Sequence, residues 1–479
     1  MRTSTVPTYG SLIGGERLTA GDMYEVTDPN DGSVIALAHD ADANAATAAA
    51  NAAADAAPHW GQTSLDTRRA VLAGAARRLT QQRDALVELA IADTGARAAV
   101  AAEMQVDAAL ARLQKWSQAP GSLLKPQGPA EFGGLNVDLE RRPVGVVACI
   151  SPYNFPLLAM VAKVAPALFS GNTVVMKPAP QDPLLVSALA QALDEAAREA
   201  GAQDGTVNYV VGSTPDSGVA LVEHPRVGAV SFTGSTVVGT SIYASAAPTM
   251  KRLLLELGGK GALIVRSDAD IDAVATAIER AWTYHAGQVC LTASRILAHD
   301  SVYDELQERL QARVGELVHG DPRDAATHVA PLISEVQRTR VAGMIQRARD
   351  DGFTVAQSSG APARGFHQAA TLISDVRPDA EIMQEEVFGP VVALMRMRDD
   401  DHAIEVANST KYALYDYVFS RDRDAAVRVG RQLDAAQVGI NTVRRHPDAP
   451  FGGNRLSGLG RTGGTYALDS YTDLQALVG

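Results

Sequence analysis

Cys290 sits in the segment YHAGQVCLTASRI, and upstream of it stands Glu256 in LLLELGGKGA, an acid that ends an apolar run just before a Gly-Gly turn. Asn154 lies earlier still, in ISPYNFPL, between an apolar run and Pro156. A thiol, a carboxylate and an amide are the parts of acyl-transfer chemistry: a nucleophile, a base that activates water, and a donor to a developing oxyanion. Each also has an ordinary reading. A free cysteine is more often an inert buried residue, a buried acid can be ion-paired across a domain boundary, and an asparagine can simply form a turn. A fourth segment, SFTGSTVVG, places Gly234 and Gly239 around Ser235 at the start of a helical pattern. Small residues there let backbone N–H groups approach a phosphate, although the spacing is G-x-x-x-x-G and not the G-x-G-x-x-G dinucleotide fingerprint.

These residues need a large frame. The 479-residue chain has a hydrophobic fraction of 46% and a charged fraction of 20%, which fits a globular protein of several domains. No apolar run approaches the roughly 18 to 20 residues that span a bilayer. The opening MRTSTVPTYGSLIGGERL lacks the apolar stretch of a secretory signal, so the sequence is read as cytoplasmic. The net charge of −12 disfavours nucleic acid or an anionic membrane as partners. Two cysteines, Cys149 and Cys290, cannot make a disulfide framework, and Cys149 in the apolar VVACIS reads as core. The 10 histidines show neither HExxH nor a paired Cys/His spacing, so no metal site is expected.

Along the chain, the alanine-rich tract 44–58 reads as a helix stopped by Pro58, followed by an amphipathic helix ending near Gly95. From Val144 to Thr249 short β-branched runs, VGVVACI, TVVMK, VNYVV and AVSF, alternate with helical spacing that begins near Pro156, Pro183, Pro215 and Ser235. That alternation builds a parallel sheet covered on both faces. A second α/β region follows to about Val443, with candidate strands ALIV, ASRILA, VVALM and YVFS. The segment 121–143 and the final SYTDLQALV are two short strand-like pieces that could pair into an arm outside both domains. The expected architecture is α/β: a doubly wound, Rossmann-like cofactor domain (1–120 and 144–255), a catalytic α/β domain (256–443) and a small β oligomerisation arm (121–143 and 465–479).

Together with GNTVVMKP around Lys177, QEEVFGPVV around Glu386 and Phe388, and PFGGNRLSGLGR near the end, these segments resemble the aldehyde dehydrogenase superfamily in type, order and separation over almost the whole chain. The resemblance implies NAD(P)-dependent oxidation of an aldehyde to an acid. Cys290 would be the nucleophile, Asn154 with the Cys290 backbone N–H the oxyanion donors, and Glu256 the base for thioester hydrolysis. It assigns Lys177 and Glu386 to the two riboses, Ser235 to the pyrophosphate and Phe388 to the nicotinamide, with Pro152, Tyr153, Gly234 and Gly239 shaping the cofactor site. A homodimer or homotetramer is implied. Relatives that pass the acyl group to coenzyme A generally lack the acid at Glu256, so such an enzyme, or a non-catalytic protein retaining the fold, is the alternative.

The sequence also departs from that pattern. Many NAD-preferring members carry a glutamate where Pro180 stands, so NADP is expected to be accepted alongside NAD. A proline there also resembles the benzaldehyde dehydrogenase branch. The apolar flanks Val289 and Leu291 and the small Ala159 and Ala162 leave room for a sizeable substrate. The loop INTVRRHPDAPFGG sets Arg444, Arg445 and His446 near the expected substrate entrance. It is either a solvated basic loop or, if the side chains face inward, the mark of a substrate bearing a carboxylate.

Overall fold

A computed structural model of the chain describes residues 6–19 and 21–479. The first five residues of the stretch read for an export signal, and Ala20 within the expected cofactor domain, lie outside the described residues. Two mixed α/β units dominate, each around its own sheet, and no helix among the described residues is long and apolar enough to cross a membrane.

The first sheet has five central parallel strands: β1 (Val146–Ile150), β2 (Thr173–Lys177), β3 (Val207–Tyr209), β4 (Val227–Thr233) and β5 (Arg252–Glu256). Every residue of β1, β2 and β3 is buried, as expected of parallel strands covered on both faces. The spatial order is β5-β4-β1-β2-β3, so the chain runs outward from β1 in one direction and returns to build β4 and β5 on the other side. Such a reversal opens a crevice at the carboxyl ends of the two strands on either side of it, here β1 and β4. The intervening helices Pro156–Phe169, Leu184–Glu199, Asp216–Glu223 and Thr236–Ala246 start at or next to the prolines and serine read from the sequence.

The second sheet contains β6 (Gly261–Val265), β7 (Ala293–His299), β8 (Thr371–Ser374), β9 (Val391–Met397), β10 (Tyr415–Phe419) and β11 (Gln437–Ile440), ordered β8-β9-β7-β6-β10-β11, with Thr354–Gln357 antiparallel beside β8. The terminal segment pairs with the arm as an antiparallel ladder from Thr472↔Pro143 to Val478↔Val137.

Pro58 does not end its helix. The helix Ala43–Gln62 continues past it because Trp60 is fully buried and Thr63 closes the last turn on the Trp60 carbonyl. The following segment ends at Gly95 as read, with Gly95 in the left-handed region at φ 68°, but it is two helices, Leu65–Gln81 and Arg83–Thr94. Cys149 is fully buried in β1, its thiol pushed up to about 12 by burial, as suits a core residue.

Candidate active site

Asn154 follows the end of β1, Lys177 ends β2, Gly234 and Ser235 follow β4, and Glu256 ends β5, so the first sheet delivers all of these residues to one edge. Cys290 comes from the other unit, on the loop leading into β7. All line a single cleft of about 2000 Å³, together with Pro152, Tyr153, Glu386 and Phe388. That exceeds the roughly 300–1,000 Å³ of a single small-ligand site and suits two ligands side by side. Gly239 does not line the cleft; it is buried one turn into its helix, where an added Cβ would collide with Leu257.

The loop before Cys290 is tightly specified. His285, Ala286 and Gly287 all have positive φ, at 52°, 51° and 71°, a conformation that non-glycine residues adopt only when the surroundings impose it. Asn154, buried, ties that loop to the first sheet: its Nδ2 donates to the Gln288 carbonyl at 2.8 Å, and its Oδ1 accepts from the Phe155 N–H at 3.0 Å. One Nδ2 hydrogen remains beyond the bond to Gln288. The Gln105 side chain in turn holds the Asn154 carbonyl at 2.7 Å.

Glu256 Oε2 accepts from the Thr233 hydroxyl at 3.1 Å, across a β4–β5 register in which the two residues are partners. The Lys163 ammonium donates to the same hydroxyl at 2.7 Å from inside the helix Pro156–Phe169. Burial lowers the Lys163 pKa, an effect Glu256 opposes. Glu256 Oε1 is buried with no hydrogen-bond partner. The thiol of Cys290 is pushed up to about 12, first by burial and then by the carboxylates of Glu256 and Glu386, while Arg445 and the Leu291 N–H pull the other way.

The opposite end of the cleft has the features of a dinucleotide site. Ser235 caps the helix Thr236–Ala246, its Oγ accepting from the Val238 N–H at 3.3 Å, so a helix N-terminus faces the cleft. Lys177 is buried and its ammonium has only a 3.4 Å contact to the Pro178 carbonyl, so its pKa falls to about 8 by desolvation. Val219, Val237 and Val238 also line the cleft with their side chains exposed, an apolar surface that suits a flat ring system. Pro180 lines the same end. Glu386 Oε1 accepts from the Gly259 N–H at 2.9 Å, and burial raises its pKa to about 7. Phe388, at φ 56°, meets the Tyr153 ring edge-on at 5.7 Å. These residues fit a nicotinamide dinucleotide.

Of the basic loop, Arg444 and His446 are exposed, whereas Arg445 turns inward and its charge is felt at Cys290 and Glu256. Sequence reasoning missed Lys163, Thr233 and Arg112. Lys163 did leave a signal, as a lone cation inside the apolar PLLAMVAKVAPALF; Thr233 and Arg112 left none. Among the described residues no cluster of three His, Cys, Asp or Glu side chains could hold a metal ion.

The sequence profile of the aldehyde dehydrogenase family matches residues 18–477. The NADP(+) succinate-semialdehyde dehydrogenase of Escherichia coli K12 is 34% identical over 97% of this chain and 96% of its own length. A benzaldehyde dehydrogenase of Bacillus subtilis is 38% identical, over 72% of this chain and 71% of its own. The crystal structure of an NAD-dependent aldehyde dehydrogenase from Sinorhizobium meliloti superposes with a TM-score of 0.94 at 32% identity, covering 99% of this chain and 95% of that one.

Proposed function

The chain belongs to the aldehyde dehydrogenase family of NAD(P)-dependent oxidoreductases, and from that premise we propose that it oxidises its aldehyde to the free carboxylic acid through a thioester on Cys290, hydrolysed by water that Glu256 activates. The observation that carries this reading is the partnerless Glu256 Oε1, held in the same cleft as Cys290 while Oε2 is anchored on Thr233. An acyl-transferring enzyme has no need of such an oxygen, whereas a general base for water does.

In this mechanism the Cys290 thiolate adds to the aldehyde carbon, and the carbonyl π electrons move to oxygen. The remaining Asn154 Nδ2 hydrogen and the Cys290 backbone N–H hold that oxyanion; losing one such donor costs about 3–4 kcal/mol of barrier. A bound dinucleotide would supply the hydride acceptor needed to take the thiohemiacetal to a thioester. Lys177 and Glu386 would hold its riboses and Ser235 and Gly234 its pyrophosphate, with Phe388, Pro152 and Tyr153 bordering the nicotinamide. Glu256 then takes a proton from water, the resulting hydroxide attacks the thioester carbon, and the thiolate leaves. Thr233, itself held by Lys163, keeps Glu256 correctly turned.

Pro180 offers the adenosine ribose no carboxylate, so both NAD and NADP are accepted. The test is cofactor reduction at 340 nm with NAD and NADP against aliphatic, aromatic and acid-bearing aldehydes, with Cys290→Ser as control. Reduction that the control abolishes is expected. Silence across the panel sinks the reading, and turnover that needs coenzyme A and survives Glu256→Gln replaces it with acyl transfer.

A further inference from the structure

Two guanidinium groups converge at the end of the cleft away from the glycine loop. Arg112 comes from the helix Ala108–Ser117, and Arg445 from the loop before Phe451. The preceding stretch Ala101–Asp107 is π-helical, and this local change of phase leaves Met104, Ala108, Ala111, Arg112 and Lys115 along the cleft. Helices carry such interruptions mostly where function asks for a particular side-chain direction.

Arg445 lies over the Phe451 ring at 4.2 Å, which fixes the plane of its fork. Its Nε and one terminal nitrogen are buried with no hydrogen-bond partner. Arg112 makes no hydrogen bond or ion pair among the described residues, and the charge of Arg445 adds to burial in bringing its pKa down to about 10. Other arginines of the chain find acids, as Arg83 does with Asp107 at 2.7 Å and Arg347 with Glu381 at 2.7 Å, or backbone carbonyls, as the buried Arg295 does. Of the acids nearest the pair, Asp448 is bridged to Lys115, and Glu256, anchored on Thr233 through one oxygen, hydrogen-bonds to neither arginine. Two like charges with unpaired donors side by side are costly to hold, and an anion between them removes both costs.

We infer that Arg112 and Arg445 form a carboxylate-binding subsite, so that the substrate is an aldehyde carrying a carboxylate at its far end, the semialdehyde of a dicarboxylic acid. This rests on the proposed attack by Cys290 for the aldehyde end only. Arg445 is close enough to act on both Cys290 and Glu256, whereas Arg112 acts on Glu256 and Asp448, so the subsite extends from the reacting centre toward the mouth. Ala108, Ala111, Ala159, Ala162 and Leu158 line the same cleft as both arginines, an apolar surface that suits a carbon chain. A planar guanidinium fork pairs with a carboxylate through two parallel hydrogen bonds.

The full-length protein is assayed with NAD on glutaric semialdehyde and on pentanal, and glutarate binding is measured by calorimetry without cofactor. The acid aldehyde is expected to have a kcat/KM at least about 30-fold above pentanal, the lower range for partnering a buried charge. Arg445→Met and Arg112→Met are each expected to cut that ratio about tenfold or more through KM, Arg445→Lys to restore part of it, and glutarate binding to weaken in both Met variants. Absence of the preference in the wild-type protein overturns the inference. So does an equal loss on both aldehydes in Arg445→Met, which would make that arginine a support for the Cys290 thiolate. Failure to oxidise any aldehyde, with glutarate binding that still depends on Arg445, removes the aldehyde reading and leaves the subsite standing.

Discussion

Glu256 acts on Cys290 in two ways that pull in opposite directions. As a base it could take the thiol proton; as a neighbouring negative charge it makes the thiolate harder to form. Its one described side-chain hydrogen bond goes to Thr233, not to the sulfur, and its charge ranks directly after burial among the causes that push the thiol up to about 12. In the free protein the electrostatic effect is therefore expected to dominate. Below its pKa a thiol gains about tenfold in thiolate per pH unit, so iodoacetamide should inactivate the protein faster as pH rises from 7 to 10, with no plateau in that range. Glu256→Gln removes the like charge, lowers the thiol pKa and should speed alkylation at a fixed pH. The same variant should lose about 10²-fold or more in steady-state turnover, from the general-base contribution, with a burst of reduced cofactor as the acyl-enzyme accumulates. Slower alkylation in Glu256→Gln would show instead that Glu256 is the base for the thiol.

The short crossing between β5 and β6 decides how closely the two units approach. At Gly259 an added Cβ would land on the backbone carbonyl oxygen of Cys290, and the Gly259 N–H is the donor to Glu386. Backbone cannot move aside as a flexible side chain can, so Gly259→Ala should displace the Cys290 loop and weaken the hold on Glu386. The expected result is a chain that still folds, with stability down by about 1–3 kcal/mol and kcat/KM down far more than that loss explains. Thermal unfolding and steady-state kinetics check it; wild-type kinetics would mean that the crossing has slack. This element also shows what the sequence disclosed. ELGGK was readable because an acid at a strand end and paired glycines are a local pattern. The parallel strands were readable as apolar runs because both their faces are buried. The marginal strands Ser11–Ile13, Thr354–Gln357 and Gln437–Ile440 were not, being short and with few fully buried positions or none outside Ser11–Ile13. Nor was the placement of Arg112 and Thr233 beside Arg445 and Glu256, since a helix phase and a strand register bring them there.

At the scale of the whole molecule, the ladder between Val137–Pro143 and Thr472–Val478 stands apart from both large sheets. A two-stranded sheet is marginal in water unless something covers it. Here Leu474, Leu477 and Val478 are 57%, 47% and 61% exposed, and Phe132, in the turn before Val137, is 85% exposed. Unpaired strand edges with apolar side chains are surfaces that a second chain covers. The net charge of −12 opposes unspecific association, so contact must be concentrated on such apolar patches. We therefore expect a homodimer or homotetramer assembled through the arm, measurable by light scattering on a size-exclusion column. Leu474→Glu combined with Leu477→Glu places one carboxylate on each face of the ladder without touching either large sheet, and should shift the protein to a smaller species at micromolar concentration. A wild-type chain that already runs as a monomer would remove the arm as an assembly surface, because nothing then covers those side chains.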